Sequence, residues 1–127
     1  MEKVMLLVGS FLLFFIGLVH SYFGEKYILI RLFKRDNLPK LQGSDWFTKR
    51  ILRFAWHLTT IAWWGFALIL YFLSQPSDNT RSEILITITV AFVISGLVSL
   101  LFSRGKHLSW LVFFGIASTS LFGVIYS

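Results

Sequence analysis

The sequence predicts an all-α polytopic membrane protein, four transmembrane helices in an antiparallel bundle, and three observations predict it. The chain is 56% hydrophobic and 14% charged, whereas soluble domains are about 45–50% apolar and about 25% charged. Four stretches approach the length of about 20 mainly apolar residues that crosses a hydrocarbon core of about 30 Å. The Lys and Arg residues cluster in the segments between them. With 127 residues carrying 14 Phe and 5 Trp, a soluble fold would lack the interior to hide its aromatic rings, so residues 1–127 are read as one membrane domain.

The expected spans are residues 4–23, 51–73, 84–102 and 108–126. None contains Pro, and no acidic side chain interrupts an interior, as a lipid environment requires. The first span lacks the basic n-region and small-residue cleavage site of a secretory signal, and is expected to remain in the protein. Ser74-Gln75-Pro76-Ser77-Asp78-Asn79 carries turn chemistry. Thr80-Arg81-Ser82-Glu83 reads as a capping box that starts the third span near Ser82. Gly105 is expected to supply a left-handed helix stop in the tight hairpin before the fourth.

Of the 12 Lys and Arg, eight lie between the first two spans or at the mouth of the second: Lys26, Arg31, Lys34, Arg35, Lys40, Lys49, Arg50 and Arg53. Arg104 and Lys106 occupy the last hairpin, while Arg81 and Lys3 stand alone on the other side. The positive-inside rule then puts both basic loops in the cytoplasm and both termini outside it. A bacterial inner membrane suits this compact chain. The formal charge of +6 is read as attraction to anionic lipid heads, with Lys26, Arg31, Lys34 and Arg35 as the contacting cations, and not as a nucleic-acid surface. The stretch 27–35 mixes apolar and cationic residues at helical spacing. It is either an amphipathic cytoplasmic extension on the leaflet or a continuation of the first helix to about Asp36. Trp46 fits an interfacial aromatic belt.

Helices in lipid pack through small and polar side chains. Gly9, Gly17, His20 and Gly24 fall within about 80° of one another at 100° per residue. Ser95, Ser99 and Ser103 with Gly96 mark a stripe on the third span, and Gly115, Thr119 and Gly123 one on the fourth.

The absence of Cys excludes disulfides, thiolate metal sites and cysteine nucleophiles. No phosphate-binding Gly loop, nucleophile elbow or catalytic carboxylate pair is present. The chemistry-bearing residues that remain are His20, His57 and His107, which the orientation brings to the cytoplasmic half, with Glu25 nearby. Three imidazoles and a carboxylate suit zinc or copper; His20 and His57 suit a haem clamped between helices. A His also changes charge near neutral pH and can pass protons. The alternative for each is structural, an interhelical hydrogen bond for His57 and an interfacial position for His107. His20 and His57 are expected to face each other as a polar centre, with His107 and Glu25 at its rim. The reading is an accessory subunit or small carrier more readily than an enzyme, working as a homo-oligomer or with a membrane protein partner. The alternative is a metal- or haem-binding redox protein.

Overall fold

The structure is a computed structural model that describes residues 1–126. Helix α1 spans Glu2–Phe23 and runs without a break through a π-helical segment, Gly24–Leu29, into the short α2, Ile30–Leu32. Helices α3 (Trp46–Ser74), α4 (Thr80–Ser103) and α5 (Ser109–Ile125) follow. The stretch after the first span therefore continues the first helix, which stops at Leu32, short of Asp36. Three of these units are long and apolar enough to cross a membrane: Glu2–Leu32, Trp46–Ser74 and Thr80–Ser103. That is the signature of an integral membrane protein. Helix α5 is apolar but shorter, at 17 residues, or about 25 Å at 1.5 Å per residue.

The packing is inverted relative to a soluble protein. Most buried positions are small or hydroxyl-bearing, Thr48, Thr60, Ala67, Ser74, Thr87, Ser95, Ser99, Ser103 and Ala117, and Leu29 and Phe54 are the bulky residues buried with them. Phe11, Leu12, Leu101 and Val112 are among many bulky side chains that point outward. Lipid tails are as apolar as Leu, so close backbone approach and interhelical hydrogen bonds, not burial of hydrocarbon, draw such helices together. Buried hydroxyls without an interhelical partner bond back one turn, as Thr87 does to the Glu83 carbonyl (2.8 Å) and Ser95 to that of Ala91 (2.8 Å).

Helix α1 packs on α3, α3 on α4, and α4 on α5. Among the described residues no close backbone approach links α1 to α4 or α5, or α3 to α5, so the helices form an open row. Helices α1, α3 and α4 turn small residues toward a neighbour in sequence. The serine stripe behaves as expected: Ser95, Gly96, Ser99 and Ser103 are buried, and Phe114 of α5 lies where a Cβ on Gly96 would fall. The stripe on α5 does not. Gly115 has nothing within 4 Å and Thr119 is exposed, while Ala117 takes the buried position and Gly123 faces Leu85. Spacing alone marks a face as small; it does not say whether a partner covers it.

Two local expectations are corrected. The capping box before α4 does not form: α4 starts at Thr80 after Asn79, and the Thr80 hydroxyl accepts the Ser77 N–H at 2.7 Å. Glu83 Oε2 has no hydrogen-bond partner. The turn ahead of the helix has captured the hydroxyl that the box needed. At the end of α4 the left-handed residue is Arg104 (φ 51°), with Gly105 (φ 75°) following it. Gly105 N–H reaches the Leu100 carbonyl at 2.9 Å and Arg104 N–H that of Leu101 at 3.3 Å. This is a Schellman closure displaced one residue toward the N-terminus of the expected stop.

Candidate functional site

The site is built where α1 and its π-helical continuation lie against α3. Glycine sets the spacing. A Cβ on Gly24 would collide with the indole of Trp56, and one on Gly17 would come within 2.6 Å of Trp64 Nε1. With both positions bare, each indole reaches across to an α1 carbonyl: Trp56 Nε1 donates to His20 O (3.0 Å) and Trp64 Nε1 to Phe14 O (3.1 Å). Ser10 adds a third crossing, donating to the Ala67 carbonyl at 2.7 Å. These bonds lock the register that places α1 side chains opposite α3 side chains.

Register then pairs two consecutive residues on each helix. His20 stacks on Trp56, ring centroids 4.6 Å apart and planes within 1°, and leans on Trp63 at 4.9 Å. Its Nε2 lies 3.2 Å from the Trp56 carbonyl oxygen. One residue on, Ser21 meets His57: Ser21 Oγ is 2.9 Å from Nδ1. His20 and His57 share the α1–α3 seam, but Trp56, not His57, is what His20 faces.

A continuous polar chain runs through His57. At one end Thr60, only 3% exposed, sits 2.6 Å from Ser21 Oγ and within 3.3 Å of the Gly17 carbonyl. Beyond the imidazole, His57 Nε2 is 3.2 Å from Glu25 Oε2. Glu25 is held on its far side by Arg53, with Nε to Oε2 at 3.2 Å and Nη2 to Oε1 at 2.8 Å. The guanidinium also lies over the Phe33 ring at 5.0 Å. The side chains of Glu25 and Arg53 are 31% exposed and that of His57 28%. The chain thus leads from an accessible ion pair to a buried hydroxyl. The π-helical geometry is local to this point: Glu25 is its second residue, and such segments are frequent at functional sites.

Hydrogen-bond inventory fixes the roles. An ionised carboxylate only accepts, so His57 Nε2 carries a proton and donates it to Glu25. With neutral His57, Nδ1 accepts from Ser21, and Ser21 accepts from Thr60. With protonated His57 the order reverses: Nδ1–H donates to Ser21, Ser21 to Thr60, and Thr60 to the Gly17 carbonyl. Both states satisfy each member by turning two hydroxyls, with no movement of the helices. Arg53 balances Glu25 in either state, so the added charge rests on the imidazole beside that ion pair.

Of the four residues expected to bind a metal, His20, His57, His107 and Glu25, only His57 and Glu25 meet. Among the described residues no group of three His, Cys, Asp or Glu side chains is placed to hold a metal ion. His107 lies before α5, where Nδ1 is 2.8 Å from Ser109 Oγ, its N–H donates to Ser103 Oγ at 3.2 Å, and its ring abuts Phe54 at 5.4 Å. Ser109 in turn bonds Ser99. His107 ties the turn to α4; it does not approach the α1–α3 seam.

The site residues that the sequence reading did not name as candidates are Ser21, Thr60, Arg53 and Trp56. Ser21 falls one turn after Gly17 and one turn before Glu25, an i, i+4, i+8 series that would have drawn the packing face through it. Lys26 and Arg31, read as headgroup contacts, are exposed and lie over the Tyr27 ring at 5.3 and 5.6 Å, while Lys34 and Arg35 are simply exposed. Comparison with known proteins assigns the chain to no group: no family model, no curated protein and no solved structure matches it.

Proposed function

We propose that the chain is a small membrane module, an accessory subunit or small carrier, whose working part is the His57 chain taking up and handing on a proton at the cytoplasmic face. It crosses the bilayer four times as an antiparallel row, with both termini outside the cytoplasm. The observation that carries this reading is the unbroken series Arg53, Glu25, His57, Ser21, Thr60, which is satisfied with the imidazole either neutral or protonated. Imidazole is the side chain whose charge changes between pH 5 and 8, and intramembrane ionisable groups commonly mark proton or ion paths. A purely structural histidine needs one good hydrogen bond; this one has an acceptor state and a donor state built for it. The open row leaves the lateral faces of α1 and α5 for a second copy or another membrane protein.

The test is nitrogen NMR of histidine-labelled protein in lipid bilayers across pH 5 to 9. His57 is expected to pass from a neutral form protonated at Nε2 to the imidazolium with the helices unchanged, and Ser21→Ala to alter that transition. A His57 locked in one state across that range would overturn the reading.

A further inference from the structure

We infer that the cytoplasmic corner between the start of α3 and the α4–α5 turn is a binding site for a phosphate-bearing anion, separate from the His57 chain. Three cations converge on one indole there. Arg104, Lys106 and Arg50 lie over the Trp46 ring at 5.0, 5.3 and 5.6 Å. Among the described residues none of the three is in an ion pair, and the nearest acid in sequence, Asp45, is held by Lys49 at 2.8 Å. The indole attracts each of them, and the positive charge so collected, unpaired with any acid among the described residues, favours an anion.

A cavity of about 200 Å³ opens at the same place, lined by Gln42, Ser44, Trp46, Arg104 and Lys106 with Leu41 and Phe47; Arg50 lies outside its wall. Its lining is mixed polar, unlike the apolar grooves along the α3–α4 seam. The room equals several waters at about 30 Å³ each, which suits a phosphate group.

The backbone adds an independent observation. Among the described residues the non-glycine positions with left-handed backbone are Gln42 (φ 57°) and Arg104 (φ 51°), and both line this cavity. Left-handed backbone is disfavoured for side chains such as these; the α4 closure and the 41–44 turn impose it, and so fix where both side chains leave the backbone. Gln42 and Gly43 form a tight turn closed by the Leu41–Ser44 bridge, which puts Gln42 and Ser44 in the cavity wall, the Ser44 hydroxyl accepting the Trp46 N–H at 3.4 Å. Arg104 is the left-handed residue of the α4 closure, which turns its guanidinium toward Trp46. Arg supplies a planar fork for phosphate oxygens, and Lys a point charge.

The phosphate has two sources, the head of an anionic phospholipid or a free phosphate, and the test separates them. The full chain is placed in nanodiscs of phosphatidylcholine with or without phosphatidylglycerol. Lipids retained on release are counted by native mass spectrometry, and inorganic phosphate is titrated by calorimetry in the phosphatidylcholine discs. The variant is Arg104→Gly with Lys106→Gln, since glycine keeps the left-handed turn. A charge-matched control is Lys3→Gln with Arg81→Gln, both exposed and away from the basic loops.

Retention of phosphatidylglycerol should fall about fivefold for each cation removed at the site, and less in the control. Loss confined to the lipid arm names the headgroup as occupant; loss of calorimetric phosphate binding names the free anion. Neither ligand binding in the wild type would overturn the inference. So would equal retention by wild type and site variant, or an equal fall in the control, which would mean general surface charge.

Discussion

At the scale of single residues, His57 and Glu25 depend on each other through geometry that no one residue supplies. Glu25 shares its two oxygens between Arg53 and His57, so removing the carboxylate leaves a guanidinium at the membrane edge without a counter-ion. Partial exposure softens that penalty, because water screens part of the interaction. Glu25→Gln and Arg53→Gln are each expected to lower thermal stability in detergent, and the double variant to lose less than the sum. Coupling on the order of 1 kcal/mol is expected for contacting residues. Additive losses would show that the pair does not act as a unit.

At the scale of elements, α1 and α3 are joined by indoles seated over glycines, and this predicts a hierarchy of substitutions. Gly24→Leu and Gly17→Leu drive a side chain into Trp56 and Trp64, whereas Gly115→Leu enters open space. Overpacking costs typically 1–3 kcal/mol. The first two should unfold at clearly lower temperature than wild type, with Gly115→Leu close to it as a monomer. A drop for Gly115→Leu confined to an oligomeric form would locate a partner helix on that face. Equal effects at all three positions would refute the assigned packing.

The same contrast shows what was legible beforehand. The four apolar stretches, the serine stripe and the glycine face of α1 were visible, because lipid imposes length, and close packing imposes small residues at helical spacing. The partner of His20 was not, since it depends on how far α1 slides along α3, a quantity set by indole hydrogen bonds to Phe14 and His20 carbonyls. Nor was the π-helical segment, whose wider turn leaves no composition signal. The α4 start at Thr80 and the α3 start at Trp46 lie outside the apolar cores at Ile84 and Ile51, because helical hydrogen bonding does not stop where hydrocarbon does. Helix α3, with 29 residues, is about 44 Å long at 1.5 Å per residue, and its first two turns carry Lys49, Arg50 and Arg53.

At the scale of the whole molecule, the two candidate sites share a dependence on orientation. The His57 chain opens at the end of α3 that carries Arg53, and the Trp46 corner lies beyond it at the same end. Both therefore work on the cytoplasmic side only if the basic loops are cytoplasmic. Ten of the 12 Lys and Arg residues lie in or beside the segment joining α2 to α3 and in the α4–α5 turn. Chains that retain Lys and Arg inside are expected to insert this way. Reporter fusions within Ser74–Asn79 and after the C-terminus should then report the outer side, and fusions at Lys40 or Gly105 the cytoplasm. Helix α5 gives the experiment its edge. At 17 residues it is the shortest of the apolar helices, and crossing requires local thinning of the bilayer or help from the flanking Leu108 and Tyr126. If α5 crosses, fusions at Gly105 and at the C-terminus report opposite sides. If both report the cytoplasm, α5 lies along the inner leaflet, the four-crossing arrangement fails, and the exposed face of Gly115, Ser118 and Thr119 must be read against headgroups instead of a partner helix.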